Sequence, residues 1–193
     1  MTVADLQPVR LTVFGPVRAW VHGSPVDLGG RRQRSLLARL VSAQGRVVSV
    51  DRLIDDLWEG EPPPKALAAL QAYVSHLRRV LEPGRQPRAP ATVLVSASPG
   101  YLLQLSADAV DVWEFEAKIH AAEDETDPSR RAALLDEALA LWSDEPFAEV
   151  ADASWATPEI ARLGELRLTA VEAGARAQSS LGADARVIAV LGQ

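Results

Sequence analysis

Leu70 to Arg79 reads as a helix that buries one edge and offers Gln71, Ser75, His76 and Arg79 on another. Pro99-Gly100-Tyr101 reads as a tight turn between two short apolar runs, and after Ser106-Ala107-Asp108 only helical patterns follow. These three observations predict an α+β winged helix-turn-helix with a small N-terminal β-sheet and a C-terminal wing hairpin, followed by an all-α domain. The boundaries are expected at 1–106 and 108–193. A helix is narrow enough to enter the major groove of duplex DNA, and a hairpin directly behind it is the plan of a wing.

Arg10–Phe14, Val17–His22 and Pro25–Leu28 alternate apolar and polar residues, with Gly15-Pro16 and Gly23-Ser24 as turns, which predicts a small antiparallel sheet. Gly29-Gly30 hands over to a helix at Arg31–Ala43, with Leu36, Leu37, Leu40 and Val41 on one face, and Gly45 stops it. Val47-Val48 is a short extended link. Ser49 is then the N-cap of a second helix through Leu57, with Asp51 in its first turn. Glu59 to Pro64 cannot be helix interior, because three consecutive prolines remove donors and keep the residue before each out of the α region. A third helix begins near Pro64 and runs to Leu81. Its apolar residues Leu67, Leu70, Val74, Leu77 and Leu81, spaced 3, 4, 3 and 4 apart, form one stripe. Pro83-Gly84 ends it, Arg85–Ala91 is a loop, and Thr92–Ala97 with Tyr101–Leu105 form the hairpin.

In the second half, Asp111 and Glu114 fit an N-cap and N3 pair before a helix with Val112, Phe115, Ile119 and Ala122 inward. Asp127-Pro128 opens the next helix, to about Trp142, with Leu135, Leu139 and Trp142 on its face. Pro146 to Asp152 is a loop anchored by Phe147. Thr157-Pro158 opens a third helix with Leu163, Leu166, Ala170, Ala177 and Leu181 inward, and a fourth is expected to begin before Gln193. The helix pairs resemble tetratricopeptide-type hairpins without a clean repeat consensus, and such arrays need about three repeats to bury a core.

Composition sets the broad class. Apolar residues make up 48% and charged residues 24%, the mix of a soluble globular protein. No run approaches the roughly 18 apolar residues of a membrane span. The first ten residues lack a basic start with an apolar core, so no signal peptide is expected. The absence of cysteine excludes disulfides and thiolate metal sites and fits the cytoplasm. The net charge of −6 is unevenly divided: residues 1–105 carry 13 Lys+Arg against 8 Asp+Glu, and residues 106–193 carry 7 against 18. A basic half joined to an acidic half points to nucleic-acid contact by the first, although segregated solvated charge would look the same.

No site for catalysis is visible. His22, His76 and His120 fall in three elements without a partner at metal-ligand spacing. Neither Walker A, G-x-G-x-x-G nor G-x-S-x-G occurs. Asp55-Asp56 and Glu123-Asp124-Glu125 read as solvated acidic faces. No enzyme activity and no cofactor are therefore expected. Two constellations remain. The third helix carries His76, Arg78 and Arg79 in its C-terminal half with no acid until Glu82, as a recognition helix requires, because phosphates repel carboxylates. Arg31, Arg32 and Arg34 sit at the N-terminus of the first helix, where the dipole disfavours cations, which points to an external anion such as a DNA phosphate.

Successive blocks then carry a resemblance: Leu28 to Arg34, Gly45 to Ser49, Asp51 to Trp58, Leu70 to Leu81, Pro99 to Leu103, and, in the second half, Phe115-Glu116, Ala138 to Trp142 and Leu163 to Leu168. The chain resembles the antibiotic regulatory proteins of actinomycetes, transcription activators with an OmpR-like DNA-binding domain and a bacterial transcriptional activation domain. The resemblance implies sequence-specific binding to direct repeats in promoters of secondary-metabolite genes, as a pair of subunits, with recruitment of RNA polymerase. By position, Gln71, Ala72, Ser75 and His76 would face bases. Tyr73, Arg78 and Arg79 would hold phosphates, and the loop Trp58, Glu59, Gly60, Glu61, Pro62, Pro63 would face polymerase. A protein-interaction adaptor, or a regulatory fragment without independent DNA binding, is the alternative.

Three departures from the family pattern qualify this. His76 stands where arginine is common, so base preference there would differ and respond to acid. Ala97-Ser98 replace a frequent basic residue and proline before Pro99, which removes a wing contact. The family's helical domain also continues beyond Gln193, so the acidic half is expected to be incomplete.

Overall fold

β1 (Val9–Thr12) pairs antiparallel with β2 (Arg18–Val21), in a register that sets Val9 opposite Val21 and Leu11 opposite Ala19, and β2 pairs with β3 (Ser24–Pro25). The computed structural model describes residues 9–86 and 88–191, with side chains of the last helix described as far as Ser179. The segment 1–8, where no leader is expected, and the side chain of Leu181 lie outside the described residues. The period-two alternation works as expected: Val9, Leu11, Val13, Ala19 and Val21 all point into the core. The third strand is shorter than the sequence predicts. Beyond it Asp27 turns to accept the N–H of Gly29 at 2.8 Å, and Gly29, at φ +86°, swings the chain into α1.

α1 (Arg31–Ser42) starts at Gly30, whose N–H is taken by the Gln33 side chain at 2.7 Å, and it buries Leu36, Leu37, Leu40 and Val41 as expected. Ser49 caps α2 (Val50–Trp58) by accepting the N–H of Arg52 at 3.2 Å. α3 (Ala66–Leu81) packs across α1 and α2. The link before α2 is more than a link. Val48–Ser49 is a strand, β4, that pairs with β6 (Gly100–Leu103), itself paired with β5 (Leu94–Ala97), so the wing is a three-stranded sheet. The closeness of this pairing fixes one residue type, because a Cβ on Gly100 would stand 1.8 Å from the Val48 carbonyl oxygen.

The acidic half is α4 (Asp111–Asp124), α5 (Pro128–Leu141) and α6 (Ala156–Leu191), packed in sequence, α4 on α5 and α5 on α6. Asp127 caps α5 by accepting the N–H groups of Ser129 and Arg130, and Phe147 is a fully buried anchor, both as predicted. Two expectations are corrected. No fourth helix begins among the described residues, since α6 runs unbroken to Leu191 through its three glycines. Asp111 does not cap its own helix from outside. It is the first helical residue, and its buried carboxylate accepts the N–H groups of Val13 and Phe14 across the junction of the two halves.

That junction is extensive. Leu11 bridges Val110, Phe14 bridges Pro146, and the N–H of Phe147 donates to Val13 at 2.7 Å, so the acidic half covers the edge strand β1. The Phe14 ring meets Phe115 and Trp142 at 5.6 and 4.8 Å between centroids, and Trp113 donates its indole N–H to the Val41 carbonyl at 2.9 Å. One hydrophobic core runs through both halves.

Candidate nucleic-acid interface

α3 buries Ala66, Leu70, Val74, Leu77 and Leu81. The predicted stripe is therefore right except at its first member: the helix starts two residues later than expected, Ala66 takes the core position, and Leu67 is left 50% exposed. Opposite the core, Ala68, Gln71, Ala72, Ser75 and Arg79 form an exposed outer ridge. The helix contains no Asp or Glu. Glu82, just past its end, is occupied elsewhere, accepting the N–H and hydroxyl of Thr92 at 2.7 Å each. The face is thus uncharged at its N-terminal end and cationic at its C-terminal end, which suits a polyanion.

His76 is half-buried rather than on the ridge. Its Nδ1 pairs with Arg79 Nη2 at 3.0 Å, and its buried Nε2 has no hydrogen-bond partner. The ring lies against the α1 entry turn, where a Cβ on Gly29 would come within 3.1 Å of Nε2. His76, expected to face bases, thus sits beneath Arg79 and against the Gly29 turn. Arg78 is also turned inward. It donates to the Leu94 carbonyl and to Ser96 Oγ, both at 2.8 Å, and its guanidinium lies over the Tyr101 ring at 5.7 Å. Arg78 therefore fixes the wing to α3, a role that spacing within one helix could not reveal.

Tyr73 stacks on Trp58, centroids 6.2 Å apart and planes at 19°, and Arg32 covers the other partner with its guanidinium 5.5 Å from the Trp58 ring. This ladder ties the α1 start, the α2 end and α3 together. The loop after Trp58 turns through Glu59 at φ +52° and Gly60 at φ +82°, and Glu59, Gly60, Glu61, Pro62 and Pro63 are exposed.

The arginines at the start of α1 need no external anion in two cases. Arg31 reaches Asp152 at 2.7 Å and Arg34 reaches Glu149 at 2.6 Å, both acids lying in the turn between α5 and α6. The Arg31 guanidinium holds the Asp152 carboxyl below its ordinary value, and the pairing raises Arg31 in turn. Arg10 likewise meets Glu114 at 3.4 Å. Part of the opposite charge of the two halves is thus complementarity across their own junction, which supplies Arg31 and Arg34 with anions inside the chain where an external one was expected. Only Arg32 of the three faces solvent without a carboxylate partner among the described ion pairs. Asp56 is corrected too: it is 8% exposed and binds Arg39 at 2.6 Å and Arg52 at 3.0 Å, whereas Asp55 is solvated as read. Sequence reasoning missed Glu149 and Asp152 because their partners lie on other elements, and it missed the burial of Asp56 because α1 brings Arg39 over it from outside α2.

Among the described residues no group of His, Asp and Glu could hold a metal ion, and no helix is long and apolar enough to cross a membrane. Residues 23–103 match the family model described as transcriptional regulatory protein, C terminal, and residues 110–193 match the bacterial transcriptional activator domain. Regulatory protein AfsR of Streptomyces coelicolor is 41% identical over 168 residues, 85% of this chain but 16% of AfsR. Regulatory protein DnrI of Streptomyces peucetius is 30% identical over 186 residues, 93% of this chain and 68% of DnrI. The structure of Mycobacterium tuberculosis EmbR, solved in complex with a low-affinity phosphopeptide, is 34% identical and superposes with a TM-score of 0.81 over 96% of this chain and 49% of that one. The likeness to EmbR spans both halves, and the two domain models follow one another in the order the fold shows. The chain belongs to the antibiotic regulatory protein family of transcriptional regulators, in which an OmpR-like winged helix precedes a bacterial transcriptional activator domain.

Proposed function

We propose that the chain is a sequence-specific DNA-binding transcriptional activator of secondary-metabolite genes, acting in the cytoplasm without enzymatic activity. Residues 1–106 are the DNA-binding domain and residues 108–193 belong to the activation domain. The observation that carries this reading is the outer ridge of α3: exposed, free of carboxylates, flanked by Arg79 and backed by a wing that Arg78 holds in place. α3 enters the major groove, where Gln71, Ala72 and Ser75 meet base edges, while Arg79, Arg32 and the Tyr73 hydroxyl hold phosphates. Two subunits bind a direct repeat in the promoter, and the loop from Trp58 to Pro63 meets RNA polymerase. Arg31 and Arg34 serve the junction of the halves.

Selection from random duplex DNA by residues 1–193 at about 150 mM salt, where non-specific binding is weak, tests this. Enrichment of a short direct repeat, spaced near one helical turn, is expected. A second reading, an interaction adaptor whose acidic half covers its basic half, draws on the Arg31–Asp152 and Arg34–Glu149 pairs and expects no enrichment.

A further inference from the structure

Four large apolar side chains are conspicuously exposed among the described residues, and one of them, Leu67, stands on α3 at 50% exposure. Leu67 lies one turn before Gln71, on the same edge of the helix, and beside Ala68, with Ala72 on the adjoining ridge. The N-terminal turns of a recognition helix are the part that contacts base edges. In those turns the exposed residues Leu67, Ala68 and Ala72 offer only aliphatic carbon, and Gln71 is the one hydrogen-bonding side chain. Of the groups that base pairs present in the major groove, only the thymine C5 methyl is apolar, and a glutamine carboxamide pairs bidentately with adenine. Lys65 at one end and Arg79 at the other are exposed, and no carboxylate lies between them, so the apolar patch is framed for a polyanion rather than for an apolar protein groove.

We propose that Leu67, together with Ala68 and Ala72, reads thymine methyl groups, so that Leu67 is a specificity-determining residue and the half-site beneath the first two turns of α3 is rich in A·T pairs. This rests on the DNA-binding reading above. The sequence selected by the unmodified chain supplies the probe, and replacing its thymines one at a time with deoxyuridine removes only the methyl group. Wild-type binding is expected to fall about fivefold at one or two such positions, the scale of one or two buried carbons. Leu67→Ala is expected to bind the thymine duplex about fivefold more weakly and to become insensitive to the same replacement. Gln71→Ala is expected to remain sensitive to it. Leu67 is half exposed, so the alanine variant retains the fold.

Equal loss by Leu67→Ala on thymine and deoxyuridine duplexes overturns the inference. So does unchanged DNA binding with reduced transcription by purified polymerase, which reassigns Leu67 to a protein contact. An enriched site without A·T pairs under α3 overturns it while leaving the DNA-binding reading intact. Absence of any enrichment by the unmodified chain overturns that reading, and this inference with it.

Discussion

The carboxylate of Asp111 accepts the backbone N–H of Val13, at 3.0 and 2.9 Å from its two oxygens, and so stitches the first residue of α4 to the end of β1. The same group takes the N–H of Phe14 at 2.9 Å and of Val112 at 2.7 Å. Asp111→Asn places an amide donor where these N–H groups need an acceptor, and a loss of about 1–3 kcal/mol in urea unfolding at neutral pH is expected. The pH dependence has a definite sign. Burial pushes the Asp111 carboxyl above its ordinary value of 3.8, against the opposing hydrogen bonds and the Arg10 charge. The folded chain then holds this proton more tightly than the unfolded one, and the contribution of the group to stability falls as pH rises from 3.8 through the raised value. The penalty of the asparagine variant should shrink over that interval. A penalty that grows instead would show that the hydrogen bonds outweigh burial.

Arg34 and Glu149 meet at 2.6 Å with side chains only 30% and 22% exposed, while Arg31 and Asp152 pair in open solvent. Arg34 also donates to the Gly29 carbonyl. Arg34→Ala is expected to lower the unfolding free energy by about 1–2 kcal/mol, as for a charged hydrogen bond with partial solvent screening. Arg31→Ala should leave it unchanged. Neither should alter the salt dependence of DNA binding, and a shallower slope for either variant would return that arginine to the phosphates.

Much of this fold is legible in the sequence because its signals are local. Ser49 and Asp127 cap their helices, the glycines turn the chain, and the 3.6-residue period of α3 places four of its five core residues. What escapes is non-local. β4 is two residues long, too short for a pattern, and exists only because β6 arrives beside it. Asp111 has the spacing of a cap, yet its partners lie nearly a hundred residues away, in a strand edge that the acidic half must cover. Within α3, spacing alone puts Leu67 in the stripe, whereas the helix begins at Ala66 and that residue takes the core position. Arg78 and His76 share the helix with Arg79, and only the packed wing and the Gly29 turn separate their roles.

Gly100 faces Val48 so closely that any side chain must part β4 from β6. Gly100→Ala is expected to cost about 2–3 kcal/mol, the scale of an overpacked core site, and to weaken DNA binding as the wing shifts. Gly84, where an added Cβ meets nothing within 4 Å, provides the control. Gly84→Ala should leave both stability and binding as they are, and equal losses at the two sites would mean that the sheet contact with β4 is not what Gly100 protects.

Arg78 and Arg79 are neighbours with opposite duties. Arg78 holds Leu94, Ser96 and Tyr101 of the wing, whereas Arg79 is exposed and rests on His76. Arg78→Ala should lower the unfolding free energy by about 1–3 kcal/mol, because the Leu94 carbonyl loses a charged donor. Its effect on DNA should follow from a displaced wing, with little change in salt dependence. Arg79→Ala should leave stability alone, weaken binding to all sequences about equally and reduce the salt slope by about 1, the mark of one lost phosphate contact. His76→Ala, which removes the ring beneath Arg79, should reproduce part of that loss, and His76→Asn, which keeps an acceptor near Nδ1, should restore it. Unfolding curves and salt titrations on the four variants separate the two roles, and a salt slope lowered by Arg78→Ala but not by Arg79→Ala would exchange them.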